Sequence, residues 1–197
     1  MKPVCMVIGA GAGIGGTVAK KFAKEGYHAR LCRRSDEDGL RRLIADIQAD
    51  GGEASGELVN AAKDDTIEDF VRKTESDVGP IEVVVYNLGA QIGNRALHET
   101  ALKAFEIGWR IGTFGLFRVA QAVIPQMIER GRGTILVTSS TAAVRGNPGQ
   151  HSHAAAMGGR RMLCQSLNAE FSAQGIHVAH IVDRKSTRLN SSHQIIS

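Results

Sequence analysis

Glycines near the N-terminus have the spacing of a phosphate-binding turn. An apolar run, Val4–Ile8, leads into Gly9, Gly13 and Gly15, and an amphipathic segment begins at Ile14. Glycine adopts positive φ without strain and lets a ligand approach the backbone with no Cβ in the way. The free N–H groups and the dipole at the start of a helix attract anions such as a pyrophosphate. We therefore expect an anionic ligand to lie over Gly9, Gly13, Ile14 and Gly15.

The elements around this turn alternate between strand and helix. The candidate strands are Val4–Ile8, Tyr27–Cys32, Ala54–Val59, Ile81–Tyr86, Thr134–Thr138 and His177–Val182. The candidate helices are Gly13–Lys24, a segment capped by Ser35 or Asp36 that ends at Gly51, Asp64–Asp77, Glu99–Arg130 and His151–Ala173. This order predicts an α/β protein with a Rossmann-type, doubly wound parallel sheet and helices on both faces.

Composition and charge argue against several classes of protein. The 197 residues suffice for one domain, and 43% are hydrophobic and 22% charged, as in globular proteins. The net charge is only +4, the basic residues are scattered and 5% are aromatic, so a nucleic-acid partner is not favoured. Cys5, Cys32 and Cys164 are too widely spaced to indicate a disulfide framework or a metal site. With no signal peptide and no apolar stretch of membrane-spanning length, we expect a cytoplasmic chain without membrane contact.

The segment after Val182 differs in character from the rest. Residues 183–197 show neither hydrophobic periodicity nor a core pattern, and they resemble a translated sequencing-library adapter. Asp183–His193 back-translates in frame to such an adapter. We therefore interpret residues 1–182 as a truncated nucleotide-binding domain and residues 183–197 as a non-native tail. The alternative is an ordinary polar C-terminal tail.

Several motifs together resemble the short-chain dehydrogenase/reductase family over Lys2–Val182. Besides the glycine turn, Tyr86-Asn87-Leu88-Gly89 stands where the family has Asn-Asn-Ala-Gly, and Thr138-Ser139-Ser140 ends the fifth strand. The resemblance implies a domain that binds a nicotinamide dinucleotide and oxidises alcohols or reduces ketones. It also implies a segment after the sixth strand with a nicotinamide contact, a substrate lid and a last strand, which we interpret as missing here.

The proton-transfer residues of that family are only partly present. The family uses a serine, a tyrosine, a lysine four residues later, and an asparagine on the preceding long helix. Ser140 matches the serine, whereas His153 stands at the tyrosine position. Met157 replaces the lysine, and Gly112 replaces the asparagine. An imidazole titrates near neutral pH, so His153 could protonate an alkoxide. Ser140 and His153 are therefore the candidate catalytic residues.

Two functions stay open from these residues. The first is an NAD(P)-dependent oxidoreductase with substituted acid–base groups, acting on a small carbonyl or alcohol. The alternative is a non-catalytic NADP-binding scaffold or regulatory protein. In that case Ser140 only caps a strand end, and His153 is a polar residue at the start of a helix.

The resemblance also indicates cofactor contacts and assembly. Arginine pairs with a 2′-phosphate where NAD-preferring relatives have an acid for the ribose diol, so Arg33 and Arg34 favour NADP(H) over NAD(H). The remaining expected cofactor contacts are Asn60 and Ala61 at the adenine, and Asn87 and Gly89 on the adenosine ribose side. The two longest candidate helices resemble those through which family members form dimers and tetramers, so we expect the full-length parent to be a homo-oligomer.

Overall fold

The described residues form a seven-stranded sheet at the centre of the fold. The computed structural model describes residues 1–89, 95–184 and 194–196. The strands are β1 Val4–Ile8, β2 His28–Arg33, β3 Glu53–Leu58, β4 Ile81–Tyr86, β5 Gly133–Ser140, β6 Ile176–Arg184 and β7 Gln194–Ile196. Their order is β3-β2-β1-β4-β5-β6-β7, and all pairs are parallel except β6 with β7. The predicted Rossmann-type, doubly wound α/β fold is confirmed.

Helices cover both faces of this sheet. They are α1 Ile14–Lys24, α2 Glu37–Ala49, α3 Thr66–Asp77, α4 Leu102–Trp109, α5 Gly115–Glu129 and α6 His151–Phe171. The prediction of one helix over Glu99–Arg130 is wrong in its details. A short 3₁₀ turn, Leu97–Glu99, precedes α4, and a π turn over Arg110–Phe114 joins α4 to α5. A π turn is a local widening of a helix, and the apolar periodicity on either side gives no sign of it.

The core consists of two layers that share the strands. Successive side chains of β1 point to opposite faces, as the period of two requires. Val4, Met6 and Ile8 join a cluster with α3, α5 and α6, whereas Cys5 and Val7 pack against α1 and α2. These β1 residues are at most 1% exposed. The strand is therefore buried on both sides and holds the following glycine turn in a fixed position.

One helical stretch is long and apolar enough to cross a membrane by composition alone. Among the described residues this is Leu102–Glu129, and 56% of its most apolar window is buried inside the protein. Val119, Ala120 and Val123 on α5 are fully buried in the core beside α3 and β4. The stretch therefore has the packing of a core helix.

The C-terminal edge of the sheet differs from the sequence-based expectation. β6 continues past Val182 to Arg184, so Asp183 lies opposite Ser140 in the β5–β6 register. Gln194–Ile196 then pairs antiparallel with Val182–Arg184. An edge strand presents free N–H and C=O groups that any extended segment can pair with, whatever its side chains. Parts of the segment interpreted as a non-native tail thus pair with the sheet, and residues 185–193 and 197 lie outside the described residues.

Candidate functional site

The residues predicted to form the site lie at one edge of the sheet. β1 sits between β2 and β4, and the chain crosses in opposite directions on its two sides. Ligands of open α/β sheets bind in the crevice that this reversal leaves at the carboxyl ends of the strands. Arg33 and Ser140 end β2 and β5, Asn87 follows β4, and the glycine turn follows β1. All of these groups therefore face the same crevice edge.

Steric crowding accounts for two of the glycines in the turn. Gly9 has a φ of +96°, and a Cβ there would lie 2.7 Å from the carbonyl oxygen of Asn87. A Cβ at Gly15 would collide with the carbonyl oxygen of Gly9. Gly13, in contrast, has open space where its Cβ would be, and no side chain caps the first turn of α1. The N–H of Gly16 donates to the carbonyl of Gly11 over 2.8 Å, so the N–H groups of Ile14 and Gly15 are the ones left for water or an anion.

Asn87 connects the glycine turn to β5. Its amide Nδ2 donates to the carbonyl of Gly9 over 3.0 Å, and its Oδ1 accepts from the hydroxyl of Thr138 over 2.8 Å. The side chain expected near the adenosine ribose is therefore engaged within the protein. Gly89, two residues on, is exposed and has open space at its Cα. Asn87 fixes the turn, and Gly89 leaves room beside it.

An apolar pocket lies beside the ends of β1, β2 and β3. Its lining residues are Ile8, Gly9, Cys32, Arg33, Arg34, Val59, Asn60, Ala61, Ala62, Leu88 and Ile111. The Oδ1 of Asn60 accepts from the N–H of Ala62 over 3.1 Å, which closes a tight turn at the pocket wall. The structure thus brings Asn60 and Ala61 together with the glycine turn and the two arginines. An apolar pocket of this kind is suited to an aromatic ring such as adenine.

A buried arginine that was not predicted from the sequence holds the backbone of this pocket wall. Arg118 on α5 is 6% exposed and donates to the carbonyls of Ala61 over 3.2 Å and Lys63 over 2.9 Å. It also makes a fork-like pair with both carboxylate oxygens of Glu68. The hydrogen bond from Arg118 holds the pKa of Glu68 below its usual value. Arg118 looked like one more polar residue in an apolar helix, because its partners are far away in the sequence.

The two arginines at the end of β2 differ in their surroundings. Arg33 donates from Nε to the carbonyl of Ala10 over 2.9 Å and from Nη1 to the carboxylate of Asp36 over 2.6 Å. Asp36 has a φ of +65° and accepts the N–H of Gly39 over 3.0 Å, which confirms it as the cap of α2. A Cβ on Gly39 would collide with both Arg33 and Asp36. Arg33 is therefore locked in place, whereas Arg34 is exposed.

Ser140 and His153 are brought into contact. Ser140 is the last residue of β5, His153 lies in the first turn of α6, and both are half-buried. Ser140 Oγ and His153 Nε2 are 3.1 Å apart, and Ser140 Oγ also accepts from the N–H of Ala142 over 3.3 Å. A hydroxyl and an imidazole at hydrogen-bond distance can pass a proton to or from a bound oxygen. The structure thus brings the two candidate catalytic residues to hydrogen-bond distance.

The other two family positions contribute no polar side chain. Met157 is 2% exposed and forms a small apolar cluster with Ala142, Ala143 and Ala156. Its Sδ lies 3.6 Å from the hydroxyl of Ser139. Gly112 lies within the π turn. In the register that the resemblance implies, Met157 and Gly112 stand at the positions of the family's lysine and asparagine.

The three cysteine thiols are buried. Burial raises the pKa of the Cys32 and Cys164 thiols to about 12, so both stay protonated at neutral pH. Burial also raises the pKa of Cys5 well above its usual value. Across the part of the chain that the structure describes, no three His, Cys, Asp or Glu side chains are grouped closely enough to hold a metal ion.

The family model for short chain dehydrogenases matches residues 3–183. The chain belongs to the short-chain dehydrogenase family. The match covers the glycine turn, the apolar pocket and the Ser140–His153 pair. It confirms the resemblance drawn from the motifs, and it extends through Asp183, in agreement with the length of β6.

Curated relatives and solved structures agree with this assignment. The chain is 30% identical over 180 residues to a 3-oxoacyl-[acyl-carrier-protein] reductase of Staphylococcus epidermidis, covering 90% of this chain and 72% of that protein. A metagenomic short-chain oxidoreductase in complex with NADP matches with a TM-score of 0.87 and 26% identity, over 93% of this chain and 83% of that one. An NAD⁺-bound xylitol dehydrogenase matches with a TM-score of 0.86 and 26% identity, over 92% and 70% of the two chains. Relatives of this fold thus bind either dinucleotide.

Proposed function

We propose that this protein is an NAD(P)-dependent oxidoreductase that transfers a hydride between a nicotinamide dinucleotide and a small ketone or alcohol. The observation that carries the proposal is the 3.1 Å contact between Ser140 Oγ and His153 Nε2, at the sheet edge that also holds the glycine turn. When bound, the dinucleotide supplies or accepts the hydride. The protein then has to hold the cofactor and move one proton.

Holding the cofactor falls to backbone and small side chains. Gly9, Gly13, Ile14 and Gly15 line the pyrophosphate position, because Gly13 is open and the start of α1 is uncapped. Asn60 and Ala61 belong to the apolar pocket for the adenine. Asn87 and Gly89 line the ribose side, Asn87 through the turn that it fixes.

Moving the proton falls to the Ser140–His153 pair. During ketone reduction His153 donates a proton to the nascent alkoxide, and during alcohol oxidation it accepts one. The Ser140 hydroxyl, held by the N–H of Ala142, orients the substrate oxygen next to the imidazole. Neither role requires the tyrosine of the family.

We propose NADP(H) as the preferred cofactor. The support is the pair Arg33 and Arg34 at the end of β2, where a 2′-phosphate of the adenosine ribose would lie. Arg34 is exposed and available to a phosphate. The carboxylate of Asp36 next to Arg33 works against this preference, because it neutralises part of the positive charge.

A second function is favoured by one observation. Met157 lies in an apolar cluster in place of the lysine, and Gly112 presents no side chain. A site that has lost these groups suits a dinucleotide-binding scaffold or regulatory protein without turnover. Such a protein would bind the cofactor and present its bound form to a partner.

Cofactor titration combined with a turnover assay separates the two functions. NADPH and NADH are titrated by their fluorescence, and a panel of ketones and alcohols is then assayed with the 197-residue chain. We expect tighter binding of NADPH than of NADH, and turnover that falls on the order of 10²-fold in His153→Ala and Ser140→Ala. His177→Ala is the matched control, because His177 is exposed at the opposite end of β6. Binding without turnover favours the scaffold, and the absence of any dinucleotide binding contradicts both functions.

We further propose that the protein acts as a homo-oligomer in the cytoplasm. The helical face of α4 and α5 exposes large apolar side chains, among them Leu102 at 89%, Phe117 at 44% and Trp109 at 42%. Large exposed apolar side chains on neighbouring helices are typical of a surface that another subunit covers. Sedimentation of Phe117→Glu should show a smaller species than wild type.

A further inference from the structure

Arg160 on α6 is a charged side chain in the interior of the protein. It is 1% exposed and is the largest of the fully buried side chains. An arginine keeps its charge in proteins, and burying a charge is costly unless its N–H groups are satisfied. The partners of Arg160 are backbone carbonyls and an aromatic ring rather than a carboxylate. A residue of this kind needs an explanation beyond filling space.

The three carbonyls that Arg160 contacts belong to three separate elements. Nε donates to Gly112 in the π turn over 2.6 Å, Nη1 to Thr138 in β5 over 2.7 Å, and Nη2 to Leu88 after β4 over 2.8 Å. The guanidinium also lies 5.1 Å from the centroid of the Tyr86 ring. Thr138 is two residues before Ser140 on the same strand. One planar fork thus joins the end of β5, the loop after β4 and the π turn to α6.

The π turn depends on the same contacts. Widening a helix displaces backbone carbonyls from their usual partners, and here two carbonyls gain side-chain donors. The Tyr86 hydroxyl donates to the carbonyl of Ile111, and Arg160 donates to that of Gly112. The Thr113 hydroxyl in turn donates to the carbonyl of Ala156 on α6 over 2.7 Å. The π turn is therefore hydrogen-bonded to α6 close to the helical turn that contains His153.

Helix geometry places the guanidinium beneath the candidate catalytic pair. Arg160 is seven residues after His153, so both lie on the same face of α6. Long side chains of a helix lean toward its N-terminus, which directs Arg160 back toward the turn of His153. Met157, between them on this face, offers no charge or hydrogen bond of that kind.

We propose that Arg160 is a positioning residue for the Ser140–His153 pair. By holding the end of β5 and the π turn against α6, it keeps the hydroxyl of Ser140 and the imidazole of His153 at hydrogen-bond distance. This inference rests on the proposed oxidoreductase function for its consequence in catalysis, but its structural content is independent of turnover. The fork matters more than the charge, because a lysine at this position carries one donor centre and cannot reach three carbonyls on three elements.

Arg160→Lys tests this proposal, with Arg161→Lys on the same helix as the matched control. The ¹⁵N signal of His153 Nε2, identified by its loss in His153→Ala, reports the hydrogen bond to Ser140 without any need for turnover. We expect Arg160→Lys to fold, to bind NADPH within about threefold of wild type, and to lose the hydrogen-bonded His153 signal. With a β-keto ester as the probe, kcat should fall on the order of 10- to 100-fold while KM changes little, because the pair is misplaced rather than removed.

Other outcomes overturn the proposal. A wild-type His153 signal and kcat in Arg160→Lys would mean that charge alone suffices. A failure of both Arg160→Lys and Arg160→Met to fold, with Arg161→Lys intact, would make Arg160 a stability device and not a positioning residue. A wild-type protein that binds NADPH but turns over no substrate contradicts the proposed function only. The His153 signal in the two lysine variants still decides the role of Arg160 in that case.

Discussion

Around β1, β2 and β3 the crevice is shaped mainly by backbone, whereas around β5, the π turn and α6 it presents the side chains of Ser140 and His153. Dinucleotide binding relies on backbone geometry, such as the crowded Gly9 and Gly15 and the open Gly13. The proposed proton transfer relies on particular side chains, and in the register of the resemblance only Ser140 matches the family's residue. The proposed dinucleotide site therefore depends on backbone shape, whereas the proposed proton transfer depends on side-chain identity.

The strongest test of this comparison restores the missing side chains. The double variant His153→Tyr/Met157→Lys rebuilds the family's tyrosine and lysine beside Ser140. We expect carbonyl reduction with NADPH to rise on the order of 10²-fold, because the lysine lowers the pKa of the tyrosine and makes it a usable acid. Initial rates at saturating NADPH measure the gain.

The single variant His153→Tyr serves as the control for this restoration. Without the lysine, a buried tyrosine keeps a high pKa, and we expect little gain. A folded double variant that binds NADPH but gains no activity would show that the region of β5, the π turn and α6 lacks more than two side chains needed for the reaction. Gly112 would then be the next position to restore.

The glycine turn of the proposed dinucleotide site is tested at Gly15. Gly15→Ala places a Cβ against the carbonyl of Gly9, and the forced shift costs on the order of 1–3 kcal/mol. Kd for NADPH should rise about 10- to 100-fold, measured by fluorescence titration. Gly11→Ala is the matched control, since a Cβ at Gly11 meets open space. Equal affinities for NADPH in the two variants would show that backbone crowding does not shape the proposed dinucleotide site.

The preference for NADPH over NADH is tested at Asp36. Asp36→Asn keeps an acceptor for the N–H of Gly39 but removes the negative charge from Arg33. Kd for NADPH should fall about 3- to 10-fold with NADH unchanged, because the freed guanidinium pairs with the 2′-phosphate. Arg34→Ala should instead raise Kd for NADPH. A fall in NADH affinity in Asp36→Asn would instead identify Asp36 as the ligand of the ribose diol.

The smallest effect is expected for the ion pair of Glu68 with Arg118, which lies beside the proposed adenine pocket, and it concerns the free energy of unfolding. The pKa of Glu68 is lower in the folded protein than in the unfolded chain because Arg118 donates to its carboxylate. The pair therefore adds stability above the unfolded pKa, and this contribution is lost as pH falls through the folded pKa. Glu68→Gln should lower the free energy of unfolding at pH 7 by about 0.5 kcal/mol, since the carboxylate is partly screened by solvent.

Urea denaturation at several pH values checks this sign. The difference between wild type and Glu68→Gln should shrink as pH is lowered below about 4. A difference that stays constant with pH would mean that the variant acts through packing and not through the ion pair.

Local signals made most of the fold predictable. Apolar runs ended by glycine fix β1 and the glycine turn, because each strand and its turn are encoded within about ten residues. Ser140 and His153 were named as candidates from the register of a known family, whereas their contact is visible only in the structure. The bounds of β6 were less accessible, since backbone pairing at a sheet edge depends little on side-chain pattern.

The contacts of Arg160 were not predictable in this way. Gly158-Gly159-Arg160-Arg161 has the pattern of a small, polar helix face, and nothing nearby indicates that one arginine is buried. Its acceptors lie 22 to 72 residues away, and they become available only when β4, β5 and the π turn assemble. The π turn was equally hidden, because its carbonyls are satisfied by Tyr86 and Arg160 from other elements.

The position of Trp109 gives the protein an optical probe of its own. It is the only tryptophan in the chain, and its ring stacks on Phe114 of the π turn with centroids 5.6 Å apart. The indole is also 42% exposed on the apolar face of α4 and α5. Its emission therefore registers the packing of the π turn and any burial of that face. The proposed association of subunits can be followed by intrinsic fluorescence, with no label attached.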